Sequence, residues 1–174
     1  EIISQADLLS NVNYFDNQKG LASAGNIAKF LNLNNEEGSV VAKANIEIIN
    51  LDSVLNNKKG VIESLDNKSK IYIKTAKGFL NDTGVVQSQG DLDLVLSDAY
   101  TTEGFLLAGG LLSLSADAIE HKGYVQGNQG VVLQSRKGDI VNKQNAKLFD
   151  VGFCKFRQHT LRQFIPSFSI DLAR

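Results

Sequence analysis

Four carboxylates are the residues whose type could support acid–base catalysis: Glu47, Glu63, Asp91 and Asp93. Cleavage of a glycosidic bond requires two carboxyl groups that converge on it, and a lyase requires a base and often a calcium ion. The repeat pattern described below places Asp93 at an outward-facing position. Its equivalents in other units are Lys29, Glu47, Tyr72, Ser113 and Val132. Because this series is mixed, it predicts an ordinary solvated surface, with no catalytic residue and no enzyme activity.

Metal and cofactor chemistry finds equally little support in the sequence. His121 and His159 lie far apart, and neither has a cysteine or carboxylate at zinc-ligand spacing. The glycine- and aspartate-rich nonapeptide of calcium-loaded β-rolls is absent, as are the Gly-x-Ser-x-Gly elbow and the phosphate-binding loop. The dipeptide Gly109-Gly110 is interpreted as a tight corner between strands. The sequence therefore predicts neither a metal site nor a cofactor site.

Exposed aromatic side chains are the remaining candidates for a contact with a carbohydrate or a protein. Tyr72 and Tyr100 are the best of these, and Tyr124 comes next. Tyr72 shares the outward-facing position of Asp93, so it is expected to reach solvent. Tyrosine is also an ordinary strand residue, and a purely structural role stays open as the alternative for all three.

The elements that must position these residues are marked by a glycine that recurs about every twenty residues. The marker glycines are Gly20, Gly38, Gly60, Gly84, Gly104 and Gly123, at spacings of 18, 22, 24, 20 and 19 residues. An apolar residue follows two positions after each glycine and a small residue four positions after it. Most units carry an apolar pair at positions eight and ten. Self-similarity at this period indicates a stacked solenoid.

One unit departs from this spacing. The Gly60 unit carries its apolar pair three residues late, as Ile71 and Ile73, which predicts a short insertion around Asn67-Lys68-Ser69. Elsewhere the apolar residues alternate with polar ones, which is the period of a β-strand. Two strands account for the apolar positions after each glycine, and a third, looser apolar stretch precedes the next one, as in Phe79-Leu80.

A unit of this length cannot bury its own apolar face, whereas parallel copies stacked in register can. Three short strands per turn make a triangular cross-section, and each turn is called a rung below. The sequence therefore predicts an all-β chain, a parallel β-helix of about six to seven rungs of roughly 20 residues.

Asparagines cluster just before the marker glycines. They are Asn17, Asn34, Asn35, Asn56, Asn57 and Asn81. Asparagine tolerates left-handed backbone and bonds to its own backbone at corners, which explains the cluster without a ligand. Stacked side-chain amides are also expected to form a ladder along the rod. The functional alternative is a row of asparagines that binds a ligand.

Composition narrows the class of protein. The chain has 174 residues, of which 43% are hydrophobic and 21% charged, which suits one packed domain or a segment of a larger array. Its net charge of −1 argues against nucleic-acid binding. No apolar run reaches the length of a membrane helix, and the first residues do not form a signal peptide. Because the chain starts at Glu1 and has no methionine, we expect an excerpt from a longer protein.

Two segments carry a resemblance to a known family. They are Leu55-Asn56-Asn57-Lys58-Lys59-Gly60-Val61-Ile62-Glu63-Ser64 and Leu80-Asn81-Asp82-Thr83-Gly84-Val85-Val86-Gln87-Ser88-Gln89-Gly90-Asp91-Leu92-Asp93-Leu94. Their form, Leu-Asn-x-x-Gly-x-Val/Ile-x-Ser-x-Gly-Asp-Leu-x-Leu, resembles the repeats of filamentous haemagglutinins and contact-dependent growth-inhibition exoproteins. The resemblance covers roughly residues 15–142.

The resemblance implies a right-handed parallel β-helix within a long, rod-shaped exoprotein of the two-partner secretion family. Such proteins cross the outer membrane of Gram-negative bacteria through a dedicated β-barrel transporter, and their rods act as adhesins or present a toxin. The chain would then be a structural shaft segment at the bacterial cell surface or in secreted form. Its implied partners are the outer-membrane transporter and a receptor or glycan on a host or neighbouring cell. The alternative left open is a carbohydrate-active β-helix enzyme, a lyase or a glycosidase.

The repeat pattern fails after Asn142, and the sequence predicts a β-helix segment at 1–148 and a non-repeat tail at 149–174. The tail holds the only proline, the only cysteine and five of the nine phenylalanines. Four of its residues lie three or four apart: Phe153, Phe156, Thr160 and Phe164. This spacing is compatible with an amphipathic helix, so we expect an irregular or short helical tail. A cap on the last rung, the start of another domain and out-of-frame sequence are the three interpretations.

Overall fold

The computed structural model describes residues 1–143, 146–150, 152–157 and 171–172. Over this part the chain is a parallel β-solenoid of short strands, without a helix. Each complete turn contributes one strand to each of three faces, and each strand pairs in parallel with its counterparts in the neighbouring turns. The predicted all-β parallel β-helix is confirmed.

The three faces are parallel sheets. Face 1 is a nine-stranded sheet of β1 (Ile2–Ser4), β4 (Leu21–Ala24), β7 (Ser39–Ala42), β10 (Val61–Ser64), β13 (Val85–Ser88), β16 (Phe105–Ala108), β19 (Tyr124–Gly127), β22 (Lys147–Asp150) and β24 (Asp171–Leu172). Face 2 is an eight-stranded sheet of β2 (Leu8–Ser10), β5 (Ala28–Leu31), β8 (Ile46–Asn50), β11 (Lys70–Thr75), β14 (Asp91–Leu96), β17 (Leu111–Ala116), β20 (Gly130–Ser135) and β23 (Cys154–Arg157).

Face 3 is divided into two sheets. Rungs nearer the N-terminus are called lower and rungs nearer the C-terminus upper. The lower sheet has four strands, β3 (Phe15–Asp16), β6 (Leu33–Asn34), β9 (Leu55–Asn56) and β12 (Phe79–Leu80). The upper is a three-stranded sheet of β15 (Tyr100–Thr102), β18 (Ile119–His121) and β21 (Ile140–Asn142). Faces 1 and 2 therefore run the length of the described solenoid, whereas face 3 does not.

The nine strands of face 1 make about eight turns, one or two more than the six to seven rungs predicted. The additional rungs come from both ends of the repeat. Ile2, which precedes the first marker glycine, pairs with Ala22. Cys154, which lies well beyond the last marker glycine, pairs with Val131. In the first rung the position equivalent to Gly20 falls before Glu1, and in the rung of β22 Ala146 stands in place of the marker glycine, so the glycine spacing reveals neither rung.

The apolar rows predicted from the offsets form the core. Ile62, two residues after Gly60, pairs with Val40 below and Val86 above, and none of the three side chains is exposed. Burial of one such aliphatic side chain contributes about 2 kcal/mol relative to its exposed state. Because each row repeats on every rung, this contribution recurs along the rod.

The predicted insertion in the Gly60 unit leaves the stack undisturbed. Ile71 still pairs with Ile46 below and Leu92 above. The extra residues form a turn in which the backbone N–H of Ser69 donates to the carbonyl of Asp66 at 2.9 Å. The added length is therefore taken up at the corner, and the register of face 2 is unchanged.

The marker glycines are needed because successive rungs approach closely at this corner. A Cβ atom at Gly38, Gly60 or Gly84 would lie 2.1 Å from the backbone oxygen of the asparagine in the rung below. Real Cβ atoms do not come that close to another atom, so only glycine fits without moving the backbone. A steric requirement between rungs thus explains the twenty-residue period.

The left-handed residue at this corner is the one before the glycine. The φ angles of Lys19, Glu37, Lys59 and Thr83 lie between +52° and +54°. The expectation that the clustered asparagines adopt left-handed backbone is therefore wrong at the corners, and Asn32 is the one described asparagine with a positive φ. The corner asparagines have another task, because their side chains point into the solenoid.

The expectation of a helix in the tail is wrong over residues 154–157, which form β23. Cys154 and Phe156 pack against the core, and Lys155 and Arg157 alternate with them. This period of two competes with the helical spacing of the phenylalanines, and pairing with β20 favours the strand. Stacking thus continues past residue 148, where the sequence predicts the end of the repeat segment. Thr160 and Phe164 lie outside the described residues.

Candidate functional site

A ladder of buried asparagine amides runs along the corner between face 3 and face 1. Nδ2 of Asn17 donates to Oδ1 of Asn35, Asn35 donates to Asn57, and Asn57 donates to Asn81, each at 2.7 Å. All four side chains are buried. The predicted side-chain ladder is confirmed.

Each ladder amide also holds the backbone of the next rung. Nδ2 of Asn17 donates to the carbonyl of Ser39 at 2.9 Å, and Nδ2 of Asn35 donates to the carbonyl of Val61 at 3.0 Å. A primary amide has two N–H donors, and the protein itself uses both. This arrangement leaves the alternative of a ligand-binding asparagine row without support.

Two of the four candidate carboxylates share a column on face 2. Glu47 and Asp93 lie on either side of Tyr72, two rungs apart, which corresponds to roughly 10 Å along the rod. Glu47 forms an ion pair with Lys29 at 2.7 Å, and Asp93 forms one with Lys70 at 3.0 Å. Each pair joins adjacent rungs, so both carboxylates cross-link the outer surface.

The other two candidates lie away from this column. Oδ1 of Asp91 accepts the backbone N–H of Leu111 at 2.8 Å, which again joins adjacent rungs. Glu63 lies on face 1 between Val41 and Gln87. Within the described ranges, no group of three or more His, Cys, Asp or Glu side chains is arranged to hold a metal ion.

A shallow groove of about 300 Å³ surrounds Tyr72 on face 2. Its lining consists of Ile27, Lys29, Asn45, Ile46, Glu47, Lys70 and Tyr72. The tyrosine is half-buried, and Nζ of Lys70 lies 5.7 Å from the centre of its ring. Chemically, this groove offers one aromatic ring beside cationic, anionic and amide groups.

Tyr100 is not a surface residue, and its assignment as a contact candidate is wrong. Its side chain is 3% exposed, and its ring stacks on that of Phe79 with centroids 5.4 Å apart. Burial, with a smaller effect of the nearby Glu103 carboxylate, raises the pKa of Tyr100 far above its ordinary value. The reason is its register, because Tyr100 pairs with the inward-facing Ile119.

Tyr124 belongs to an outward-facing aromatic column on face 1. Its ring lies between those of Phe105 and Phe149, with centroid distances of 5.8 and 5.1 Å. Phe105 is 45% exposed. Because the rings pack on one another along the rod, their faces are largely occupied and mainly their edges reach solvent.

The interruption of face 3 between β12 and β15 is a feature that the sequence analysis missed. A groove of about 430 Å³ opens there, with apolar and charged groups in its lining. Its charged residues are Lys58, Lys77, Asp82, Asp98 and Glu103. The sequence does contain a sign of this interruption, because the row of corner asparagines stops at Asn81 while the marker glycines continue.

His121 lies at the corner before Gly123, and its side chain is buried inside that corner. Its side chain is 1% exposed, and Nε2 lies 3.1 Å from the carbonyl oxygen of Lys147. Burial lowers the pKa of His121, and the bond to that carbonyl opposes the shift. Cys154 is half-buried, and burial together with the Asp150 carboxylate raises the pKa of its thiol to about 11. His159 lies outside the described residues.

The geometry defines the class as an all-β repeat protein, a parallel β-solenoid fastened by buried and surface side-chain ladders. The described residues contain no helix that is long and apolar enough to cross a membrane. Comparison with protein-family models, with curated proteins and with solved structures found no match for this chain.

Proposed function

We propose that this chain is a shaft segment of a filamentous adhesin or contact-dependent inhibition exoprotein, surface-exposed or secreted by a bacterium. In this role it contributes length and stiffness, and the parent protein mediates adhesion or presents a toxin. The observation that carries the proposal is the continuity of faces 1 and 2 over about eight turns. The resemblance of the Asn-x-x-Gly units to two-partner secretion repeats supports it further.

Export is tested in the bacterium that carries the gene. An antibody against this chain should label intact cells, and added protease should remove the label. Deletion of a two-partner secretion transporter gene should abolish labelling while the protein accumulates inside the cell. Labelling that is unchanged by the deletion, or found only after lysis, would contradict the proposed route.

Adhesion is tested separately with the purified chain as a competitor. Excess chain should reduce attachment of the bacterium to its target cells if this segment carries a receptor or glycan contact. The groove around Tyr72 is the best-placed surface for such a contact, so the variant Tyr72→Ala should compete less well than Tyr124→Ala. Equal competition by the two variants would exclude the Tyr72 groove, and a pure shaft would not compete at all.

A carbohydrate-active enzyme is the second candidate, because Glu47 and Asp93 share one column beside an aromatic groove. Their ion pairs with lysines argue against it, since a catalytic pair must engage the substrate. Release of reducing ends or unsaturated sugars from a polysaccharide panel, abolished by both Glu47→Gln and Asp93→Asn, would favour the enzyme. An inactive wild-type chain favours the shaft.

A further inference from the structure

His121 does for the upper rungs what a ladder asparagine does for the lower ones. Nδ2 of Asn35 donates to the carbonyl of Val61 at 3.0 Å, and Nε2 of His121 lies 3.1 Å from the carbonyl of Lys147. Val61 and Lys147 occupy the same column of face 1, joined rung by rung through the intervening strands. In both cases a buried side chain on one rung therefore fastens the first residue of the next face 1 strand.

The two fastenings differ in one chemical respect. An amide does not titrate between pH 5 and 8, whereas an imidazole does. An imidazolium enclosed in the solenoid would lose most of its hydration, which is costly for a charged group. The corner at His121 is therefore stable with a neutral ring that donates its Nε2–H to Lys147.

The charged groups around His121 form a network on the outside of the corner. Lys122 pairs with Glu120 at 2.9 Å and with Glu103 on the rung below at 3.4 Å. Lys143 on the rung above lies 3.8 Å from Glu120. The carboxylates are thus already paired with lysines, and the side chain of Lys147 on the rung above is exposed.

The polar group next above His121 in its column is the side chain of Asn142. Its Oδ1 is buried without a hydrogen-bond partner among the described residues. The column of Asn17, Asn35, Asn57 and Asn81 has no such orphaned oxygen. One buried amide oxygen above His121 is therefore without a hydrogen-bond partner among the described residues, unlike the amide oxygens of the lower column.

We propose that His121 is an acid-sensitive fastening between the rungs of β18 and β22. When the ring is neutral, it holds the rung of β18 to β22. When the ring takes up a proton, the rungs from Ile119 onward loosen so that the imidazolium can hydrate. The asparagine-fastened rungs below remain closed. This device does not depend on the export or adhesion role proposed above.

The direction of the pH effect follows from the lowered pKa of His121 in the folded chain. An exposed histidine has an ordinary pKa of about 6.5, so below that pH the opened state binds a proton that the closed state does not. Closure of the upper rungs is therefore strongest above about pH 6.5 and weakens as the pH falls from there to the folded pKa.

Hydrogen–deuterium exchange of the whole chain at pH 7.5 and 5.5 tests the proposal, after correction for intrinsic exchange rates. We expect protection in residues 119–143 to fall on acidification, by at most tenfold per pH unit because one proton is taken up. Protection in residues 21–88 should stay constant. A uniform loss along the chain, or a steeper one in the upper rungs, would overturn the assignment to one histidine.

Two variants assign the effect to a residue. His121→Asn places the ladder residue at this corner and should abolish the pH dependence, whereas His159→Asn should leave it intact. The reverse pattern would overturn the proposal. If His121→Asn does not fold, an NMR titration of the wild-type imidazoles provides the decision. A pKa for His121 at or above about 6.5 would contradict the proposal, because the closed state would then not disfavour the proton.

Discussion

The lower rungs (residues 15–88) and the upper rungs (residues 100–142) have the same fold but different corners. In the lower rungs a buried asparagine lies three residues before each marker glycine, and a left-handed residue lies between them. In the upper rungs His121 lies two residues before Gly123, so the corner is one residue shorter. Face 3 is interrupted where the two corner types meet.

This difference shows that the side-chain bonds between rungs can change while the apolar columns of the stacked sheets continue. Faces 1 and 2 pass from the lower to the upper rungs without interruption, because their apolar columns continue in register. The amide ladder ends at Asn81, and above it an outer aromatic column and a cationic clamp also join successive rungs. Arg136 supplies this clamp, since it bonds to Ser115 at 3.1 Å, to Asp117 at 3.0 Å and to the carbonyl of Leu96.

The largest effect is expected from a substitution in the apolar core, which the lower and upper rungs share. Leu94 is fully buried on face 2 near their junction, and Leu94→Asp would place an unpaired charge in the core. We expect a loss of at least about 4 kcal/mol and unfolding of both regions. The neighbouring outward-facing Asp93→Ser is the control and should cost less than about 1 kcal/mol. Thermal melts followed by circular dichroism compare them, and equal melting temperatures would refute the register.

The next effect concerns the steric requirement at the lower corner. Gly60→Ala forces a Cβ atom against the backbone oxygen of Asn35 in the rung below, and we expect a loss of about 3 kcal/mol. Gly20→Ala is the matched control, because its nearest contact is the Asn17 side chain at 2.6 Å and its nearest backbone contact is at 3.3 Å. It should cost about 1 kcal/mol. Urea unfolding gives both values, and similar losses would show that backbone approach does not set the period.

A smaller effect tests the ladder itself. Asn57→Ala removes the partner of both Asn35 and Asn81 and leaves their buried groups unsatisfied. The expected loss is about 2 kcal/mol, with reduced exchange protection confined to the lower rungs. Asn56→Ala, one residue earlier and outward-facing, is the control and should cost less than about 1 kcal/mol. If protection fell equally in the upper rungs, the two regions would not be separable units.

Much of this architecture could be predicted because it repeats. The inward columns and the asparagine ladder follow from offsets that recur on every lower rung, and the late pair at Ile71 is recognised as a three-residue departure from them. The corners could not be predicted in detail, since a glycine forced by a neighbouring rung and one forced by its own φ have the same sequence signature.

The predictions fail at features that occur only once and therefore leave no mark on the repeat pattern. Tyr100 lies in the loosest of the three strands, where no repeated offset distinguishes the inward residue from the outward one. Its pairing with Ile119 appears only once the shortened corner is known. The interruption of face 3 and the contact of His121 both occur where the corner is one residue shorter. A pattern shared by all units does not contain a change that begins at one of them.

The smallest expected effect is a gain in stability at the junction of the two regions. The hydroxyl of Tyr100 is buried and has no hydrogen-bond partner among the described residues. Tyr100→Phe keeps the ring stack on Phe79 and removes this unsatisfied group, so the free energy of unfolding should rise by about 1 kcal/mol. Tyr72→Phe is the control, and it should change stability by less than about 0.5 kcal/mol because the ring faces outward. A loss of stability in Tyr100→Phe would show that its hydroxyl has a partner, and that the two halves of face 3 are joined by more than a ring stack.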